Sequence, residues 1–217
     1  MNQIFPGIWR KGSRLFTRNL IPGDKTYSKN LITWKANEYR EWNPNRSKPA
    51  AAIIKGLKSF PLPAKAKILY LGIAFGQTST FFSDIVGREG IVYGVEISER
   101  CLRDLNPIAE KRGNIVPILG DARKPEEYDW IEKVDVVYED VASDDQTPIM
   151  IRNANRFLKP NGFAMIAIKA RSIDVVKDPR EIYKQELAKL RKHFKILDKV
   201  RLDPYEKDHM FVLMKKK

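Results

Sequence analysis

Cysteine is almost missing from this chain. Cys101 is the only one in 217 residues, so neither an internal disulfide nor a cysteine-based metal site can form. Histidine is nearly as scarce, with His193 and His209 alone, and no Asp- or His-rich cluster has the spacing of metal ligands. No metal site is expected. Long apolar runs are also absent. The longest are strand-length and broken by charge, which excludes a membrane-spanning helix, and no membrane partner is expected. The opening stretch Met1–Trp9 lacks the basic and apolar segments of a secretory signal. A cytoplasmic location is the simplest expectation. No internal repeat or low-complexity tract is present.

Acidic charge is in deficit, and unevenly so. The net charge is +13. Residues 1–50 carry ten Lys/Arg against three acids, net +7. Residues 51–168 carry fifteen against sixteen, net −1, and residues 169–217 carry fifteen against eight, again +7. A neutral centre between basic ends suits a polyanionic partner such as RNA or DNA. Lysine-rich surfaces also serve solubility or a hot habitat, so charge alone leaves both readings open.

What is present is a series of apolar runs, each closed by a polar residue. Lys67-Ile-Leu-Tyr-Leu71 leads into a glycine turn, and Ile91–Val95 ends at Glu96. Ile115–Leu119 is followed by Gly120-Asp121, and Val134–Tyr138 by Glu139-Asp140. Strands 67–72, 91–96, 115–119, 134–139 and 162–169 are expected, with helices over 77–86, 98–111, 146–157 and 179–193. Alternating strands and helices give a parallel sheet with right-handed crossovers. In such a sheet the strand ends line one crevice, and the crevice holds a nucleotide-like ligand. Two last strands, 194–202 and 209–214, are close enough to form an antiparallel hairpin at the edge. Ser47 is expected to cap a helix with Pro49 in its first turn.

The first 45 residues read differently. Ile8–Arg10 and Arg14–Thr17 flank Gly12-Ser13 like a hairpin, and Leu31–Trp34 is a further extended piece. The expected organisation is a small β-rich subdomain over 1–45 and an α/β domain over 46–217.

The turn is Gly72-x-Ala74-x-Gly76. A dinucleotide fold places glycines at the second and third positions of Gly-x-Gly-x-x-Gly so that backbone can approach a pyrophosphate. Ala74 and Gln77 stand there instead, which argues against an NAD oxidoreductase. A ligand without pyrophosphate fits better, and S-adenosylmethionine is one. Glu96 could grip its ribose hydroxyls and Asp121 its adenine amino group. Any one acid at a strand end is more often a cap or a solvated group, but Glu96, Asp121 and Asp140 fall in consecutive, correctly spaced places.

Lys169 ends the apolar strand Ala164–Ile168, a costly place for a lysine unless it is paired. Asp140 ends the preceding strand, and an Asp–Lys pair there can hold a hydroxyl and relay its proton. A plain buried ion pair is the competing reading.

Motifs across nearly the whole chain resemble the archaeal fibrillarins. They are Glu38-Tyr-Arg-Glu-Trp-Asn-Pro44 with Arg46-Ser-Lys48, Tyr70-Leu-Gly72, Gly120-Asp-Ala-Arg123, Asp140-Val-Ala142, Ala167-Ile-Lys-Ala-Arg-Ser-Ile-Asp174 with Lys177-Asp-Pro179, and Pro204-Tyr-Glu-Lys-Asp-His209. No Gly/Arg-rich extension is present, as expected of the archaeal form. The resemblance implies a Rossmann-like S-adenosylmethionine-dependent methyltransferase acting on the ribose 2′-hydroxyl of pre-rRNA, and of tRNA as a further target. It implies cofactor contacts at Gln77 and Thr78, Glu96 and Ile97, Asp121 and Ala122, and Asp140, Val141, Ala142 and Ser143, beside the turn residues Gly72, Ala74 and Gly76. It implies a catalytic set of Lys48, Asp140, Lys169 and His209. It also implies box C/D guide RNA, a Nop-domain scaffold protein and a kink-turn-binding protein as partners. Two departures stand out. Phe75 and Gln77 replace a small residue and a threonine in the family's turn, and Ser143-Asp144 stands where Gln-Pro is usual. A non-catalytic RNA-binding subunit and a methyltransferase for small molecules or proteins are the alternatives. His193 and Cys101 are expected to carry no chemistry.

Overall fold

The computed structural model describes residues 1–217. Its opening segment forms a five-stranded antiparallel sheet of β1 (Asn2–Phe5), β2 (Ile8–Lys11), β3 (Arg14–Arg18), β4 (Leu31–Trp34) and β5 (Asn37–Trp42), in the order β1-β2-β3-β5-β4. The expected hairpin is β2–β3, with Lys11 paired to Arg14 across Gly12-Ser13. Strands β1 and β5 were not legible in the residue pattern. Strand β5 places Arg40 wholly out of solvent between Tyr39 and Trp42.

The chain continues through α1 (Lys48–Ile54), β6 (Lys67–Leu71), α2 (Gln77–Val86), β7 (Ile91–Glu96), α3 (Glu99–Arg112), β8 (Ile115–Leu119), β9 (Val134–Glu139), α4 (Gln146–Phe157), β10 (Leu158–Lys169), the short α5 (Ala170–Ile173), α6 (Pro179–Arg191), β11 (Phe194–Arg201) and β12 (His209–Lys216). Ser47 holds the N-cap position of α1 but makes no capping hydrogen bond. Its buried hydroxyl pairs instead with the Thr78 hydroxyl at 2.9 Å, tying α1 to α2. The two partners satisfy each other where water is excluded.

The large sheet runs β11-β12-β10-β9-β6-β7-β8. Strands β6 to β10 are parallel, and β12 is antiparallel to both β10 and β11. The expected architecture, a mostly parallel sheet with a terminal antiparallel hairpin, is the one observed. From β6 the chain winds out to β7 and β8, then returns to β9 on the other side. Between β6 and β9 the winding reverses, and ligands bind at such a reversal.

Apolar side chains cover both faces. One core holds Tyr70, Phe82, Tyr138 and Phe211, together with Ile8, Leu15 and Trp42 from the small sheet. The small sheet is thus packed onto the same core as the large one. Trp42 stacks on Phe81 with centroids 5.4 Å apart. Each such buried side chain contributes about 1.5–3 kcal/mol. The other core lies under α4 and α6, around Met150, Phe157, Ile168 and Leu187. Because a strand alternates its faces, Tyr138 enters the first core and Glu139 is sent toward the second.

Candidate active site

Strands β6 and β9 end side by side: Asp140 N–H donates to the Leu71 carbonyl at 2.9 Å. The next residue, Gly72, has φ +77, and a Cβ there would lie 3.1 Å from Val141 Cγ1 and 3.2 Å from the Asp140 carbonyl. Only glycine combines that backbone angle with that approach. Gly76, at φ +84, is pressed against Leu105, which a Cβ would meet at 2.4 Å. Between them Ala74 takes φ +49, a backbone angle that L-residues resist. Two long-range bonds brace the turn. The Glu96 carboxylate accepts Ala74 N–H at 2.9 Å, and the Tyr27 hydroxyl donates to the Phe75 carbonyl at 2.6 Å.

A cavity of about 360 Å³ opens over this turn, within the size range of small-molecule sites. Of the expected cofactor residues, Gly72, Ala74, Glu96, Ile97, Asp121, Ala122, Asp140, Val141, Ala142 and Ser143 line it, and so does Lys169. Gly76, Gln77 and Thr78 stand outside its wall. The Gln77 amide donates to the Arg46 carbonyl at 2.7 Å, and Thr78 is spent on Ser47. Their observed contacts shape the turn. A second hollow, of about 440 Å³ beside Phe60, Leu62 and Pro160, lies at the other end of the strands. Its one acid, Asp135, is paired with Lys159 at 2.6 Å.

The donor set suits a nucleoside. Glu96 accepts Ser98 N–H at 3.0 Å as well as Ala74 N–H, which fixes its carboxylate while leaving each oxygen a lone pair for a hydroxyl. Asp121 stands across the cavity. These residues therefore fit S-adenosylmethionine: Glu96 for the ribose diol, Asp121 for the adenine end, and the Gly72 cradle for close packing.

At the other end of the cavity two lysines share one carboxylate. Lys169 Nζ lies 3.0 Å from Asp140 Oδ1 and donates to the Asp140 carbonyl at 2.6 Å. Lys48 Nζ lies 3.1 Å from Oδ1 and 3.2 Å from Oδ2. All three side chains are 11–17% exposed, so the cluster is half-sealed and carries a surplus positive charge. His209 pairs with Lys169 across β10 and β12. Its Nδ1 lies 2.6 Å from the Lys207 carbonyl, and it does not line the cavity. The structure thus joins Lys48, Asp140 and Lys169 directly and leaves His209 beside them.

Two residues in the site escaped the sequence reading. Gln146, wholly buried at the start of α4, accepts Lys169 N–H at 2.9 Å and donates to the Lys169 carbonyl at 3.2 Å and the Ser143 carbonyl at 2.6 Å. It fixes the backbone from which Lys169 projects. Arg123 lines the cavity and donates to the Ser143 hydroxyl at 2.7 Å and to Asp145 at 3.2 Å, joining the loops after β8 and β9. A glutamine at the first position of an expected helix was the only available signal for Gln146. Below the site, Glu139 is fully buried with neither carboxylate oxygen hydrogen-bonded. Burial pushes its carboxyl well above the usual range, against the pull of Lys169.

The family model described as Fibrillarin matches residues 1–217. A fibrillarin-like rRNA/tRNA 2′-O-methyltransferase of Thermococcus sibiricus is 50% identical over 218 residues, covering 98% of this chain and 96% of that protein. The structure of Aeropyrum pernix fibrillarin with natively bound S-adenosyl-L-methionine superposes with a TM-score of 0.86 at 47% identity, covering 93% of this chain and 88% of the other. A fibrillarin in complex with Nop5p superposes with a TM-score of 0.86 at 36% identity, over 100% of both chains.

Proposed function

The chain belongs to the fibrillarin family, and from that premise we infer that it transfers a methyl group from S-adenosylmethionine to ribose 2′-hydroxyls of rRNA and tRNA. The observation that carries this reading is the Lys169–Asp140–Lys48 cluster at one end of a nucleoside-sized cavity. Relatives of known structure hold S-adenosyl-L-methionine and Nop5p, so the cofactor and a Nop-domain scaffold are carried over here. Box C/D guide RNA and a kink-turn-binding protein are proposed to complete the particle. A basic surface without a sequence-reading motif supports that choice.

When bound, S-adenosylmethionine supplies a methyl group activated by its sulfonium. The protein's part is to grip, orient and deprotonate. Glu96 and Asp121 hold the two ends of the nucleoside. Lys169 Nζ donates to the Asp140 carbonyl and lies 3.0 Å from its Oδ1, so once it has released its own proton its lone pair is free for the substrate hydroxyl. There the amine acts as general base, worth about 10²–10⁴-fold. Asp140 orients the amine, and the Lys48 ammonium, together with the ammonium that Lys169 becomes as it takes the proton, stabilises negative charge developing on the ribose oxygen. His209, on the neighbouring strand, is placed to orient the nucleotide. Residues 1–45 are proposed to serve as an accessory unit to the methyltransferase unit 46–217.

The test compares the chain alone with the chain assembled on guide RNA and both partner proteins, following labelled methyl into RNA. Methylation at the guided position by the particle, and little by the chain alone, is expected. Strong site-specific methylation of unguided RNA by the chain alone would overturn the guided part. A particle that binds cofactor and transfers nothing would favour a non-catalytic assembly subunit.

A further inference from the structure

The turn beneath the cofactor cavity has an alanine where the backbone asks for glycine. Ala74 sits at φ +49 and is exposed, so no packing around its side chain holds the angle. Local bonding supplies only Gly76 N–H to the Ile73 carbonyl at 3.1 Å. The flanks of the turn are held by Gly72 and Ile73 N–H on the Val95 carbonyl and by Gln77 on the Arg46 carbonyl. The groups between them meet two distant side chains, Glu96 on the Ala74 amide and Tyr27 on the Phe75 carbonyl. Glu96 is also the proposed ribose ligand, so its carboxylate is shared once cofactor binds. Tyr27 is the brace with no other duty.

We propose that Tyr27 is a positioning residue for the cofactor, its hydroxyl holding the Ala74–Phe75 turn in the shape that S-adenosylmethionine needs. The inference rests on reading this cavity as the cofactor site. Tyr27 itself takes φ +58, and the residue before it is fixed from several sides. The Thr26 carbonyl accepts from Arg40 Nη1 at 2.8 Å, and Asp24 accepts from the Thr26 amide at 3.2 Å and its hydroxyl at 2.7 Å. Asp24 is in turn held by Lys111 at 3.0 Å and Arg112 at 3.0 Å, both near the end of α3. The ring packs against the core. Burial raises the phenol above its ordinary range, so the hydroxyl stays a donor at neutral pH. The small sheet and its loop thereby reach the cofactor turn through one hydrogen bond.

Tyr27→Phe removes that bond and little else. Cofactor affinity of the full-length chain is read by calorimetry with S-adenosylmethionine, with and without Ala74→Gly, which relieves the backbone angle. Tyr27→Phe is expected to weaken binding about threefold to tenfold, the range of one net hydrogen bond. In the Ala74→Gly background the same change should cost less than about twofold, because glycine takes the angle freely. Single-turnover methyl transfer at saturating cofactor should stay within about twofold of the parent, since the reacting groups are untouched. A parent chain that binds no S-adenosylmethionine would defeat the reading of the site itself. A parent that binds while Tyr27→Phe binds equally well would overturn the proposal. An equal loss in both backgrounds would overturn it too, because Tyr27 would then be acting elsewhere than through the Ala74 turn.

Discussion

The buried Arg40–Asp84–Arg112–Asp24 cluster holds two cations and two anions, with the half-exposed Lys111 reaching Asp24 from the surface, whereas the Lys48–Asp140–Lys169 cluster holds two cations and one anion. The first is sealed. Its side chains are 0–3% exposed, with Arg40 Nε 2.9 Å from Asp84, Arg112 Nη1 3.0 Å from Asp24, and Arg112 also bonded to Asp84. Remaining polar atoms are met by Thr17, Thr80, Ser83 and the Leu20 amide. The second is open to the cavity and unbalanced. Planar guanidinium forks fill the closed cluster and ammonium point charges the open one, as suits fixed geometry on one side and proton handling on the other. The closed cluster joins the small sheet to α2 and α3 and holds the molecule in register. The open one is left to act on something that arrives.

The largest effect separating the two should fall on stability. Asp84→Ala strands two buried guanidinium groups and should destabilise by about 3–5 kcal/mol, read as a shifted denaturant midpoint. A chain as stable as the parent would mean the closed cluster is no lock. Next comes activity. Lys169→Ala and Lys169→Arg should each lower the single-turnover methyl-transfer rate about 10²-fold or more, with cofactor affinity nearly unchanged. An arginine variant running near the parent rate would reduce Lys169 to an electrostatic positioner, since guanidinium does not deprotonate in proteins. A smaller effect is expected at the far end of the cavity. Glu96→Ala should weaken S-adenosylmethionine binding by about 1.5–3 kcal/mol, the worth of charge-assisted bonds to a diol. Unchanged calorimetric affinity would rule that contact out.

The smallest effect per step concerns Glu139, a buried carboxyl with no partner bonded to it. Its folded carboxyl titrates well above the ordinary value of 4.5 because it is buried. The folded chain therefore keeps a proton that the unfolded chain releases. Its contribution is most favourable below pH 4.5 and is lost as pH rises from there toward the folded value, at no more than about 1.4 kcal/mol per pH unit. Glu139→Gln lacks this loss, so its stability relative to the parent should rise between about pH 5 and about pH 7. Parallel pH profiles would show that Glu139 is ionised in the fold.

Much of the large sheet was legible because its signals are local. Each strand of the cofactor half is an apolar run, and Glu96, Asp121 and Asp140 close such runs or follow them directly. The closed cluster was not legible. A charged residue is expected outside, and nothing near Arg40 in sequence reveals Asp84, 44 positions away. That same burial hid β5, whose Arg-Glu pair reads as surface. Ser47 looked like a cap because capping is the commonest use of its type, yet Thr78 offered its hydroxyl a buried partner. Glu139 and Asp140 are alike as neighbouring letters. Only the pleat tells them apart, sending one beneath the sheet and the other into the crevice. Tyr27 and Gln146 act through hydrogen bonds to other residues' backbones, for which sequence carries almost no mark.

The central claim is that the open cluster deprotonates a ribose hydroxyl beside a bound cofactor. Its most direct measurement is single-turnover transfer of labelled methyl by the assembled particle, mapped to one nucleotide, for the parent and for Asp140→Asn. The account predicts label on the 2′-oxygen of the guide-paired ribose, and a rate about 10²-fold lower or worse in Asp140→Asn, with guide RNA and partners still bound. Transfer by Asp140→Asn at the parent rate, or label on any other atom of the RNA, would contradict it.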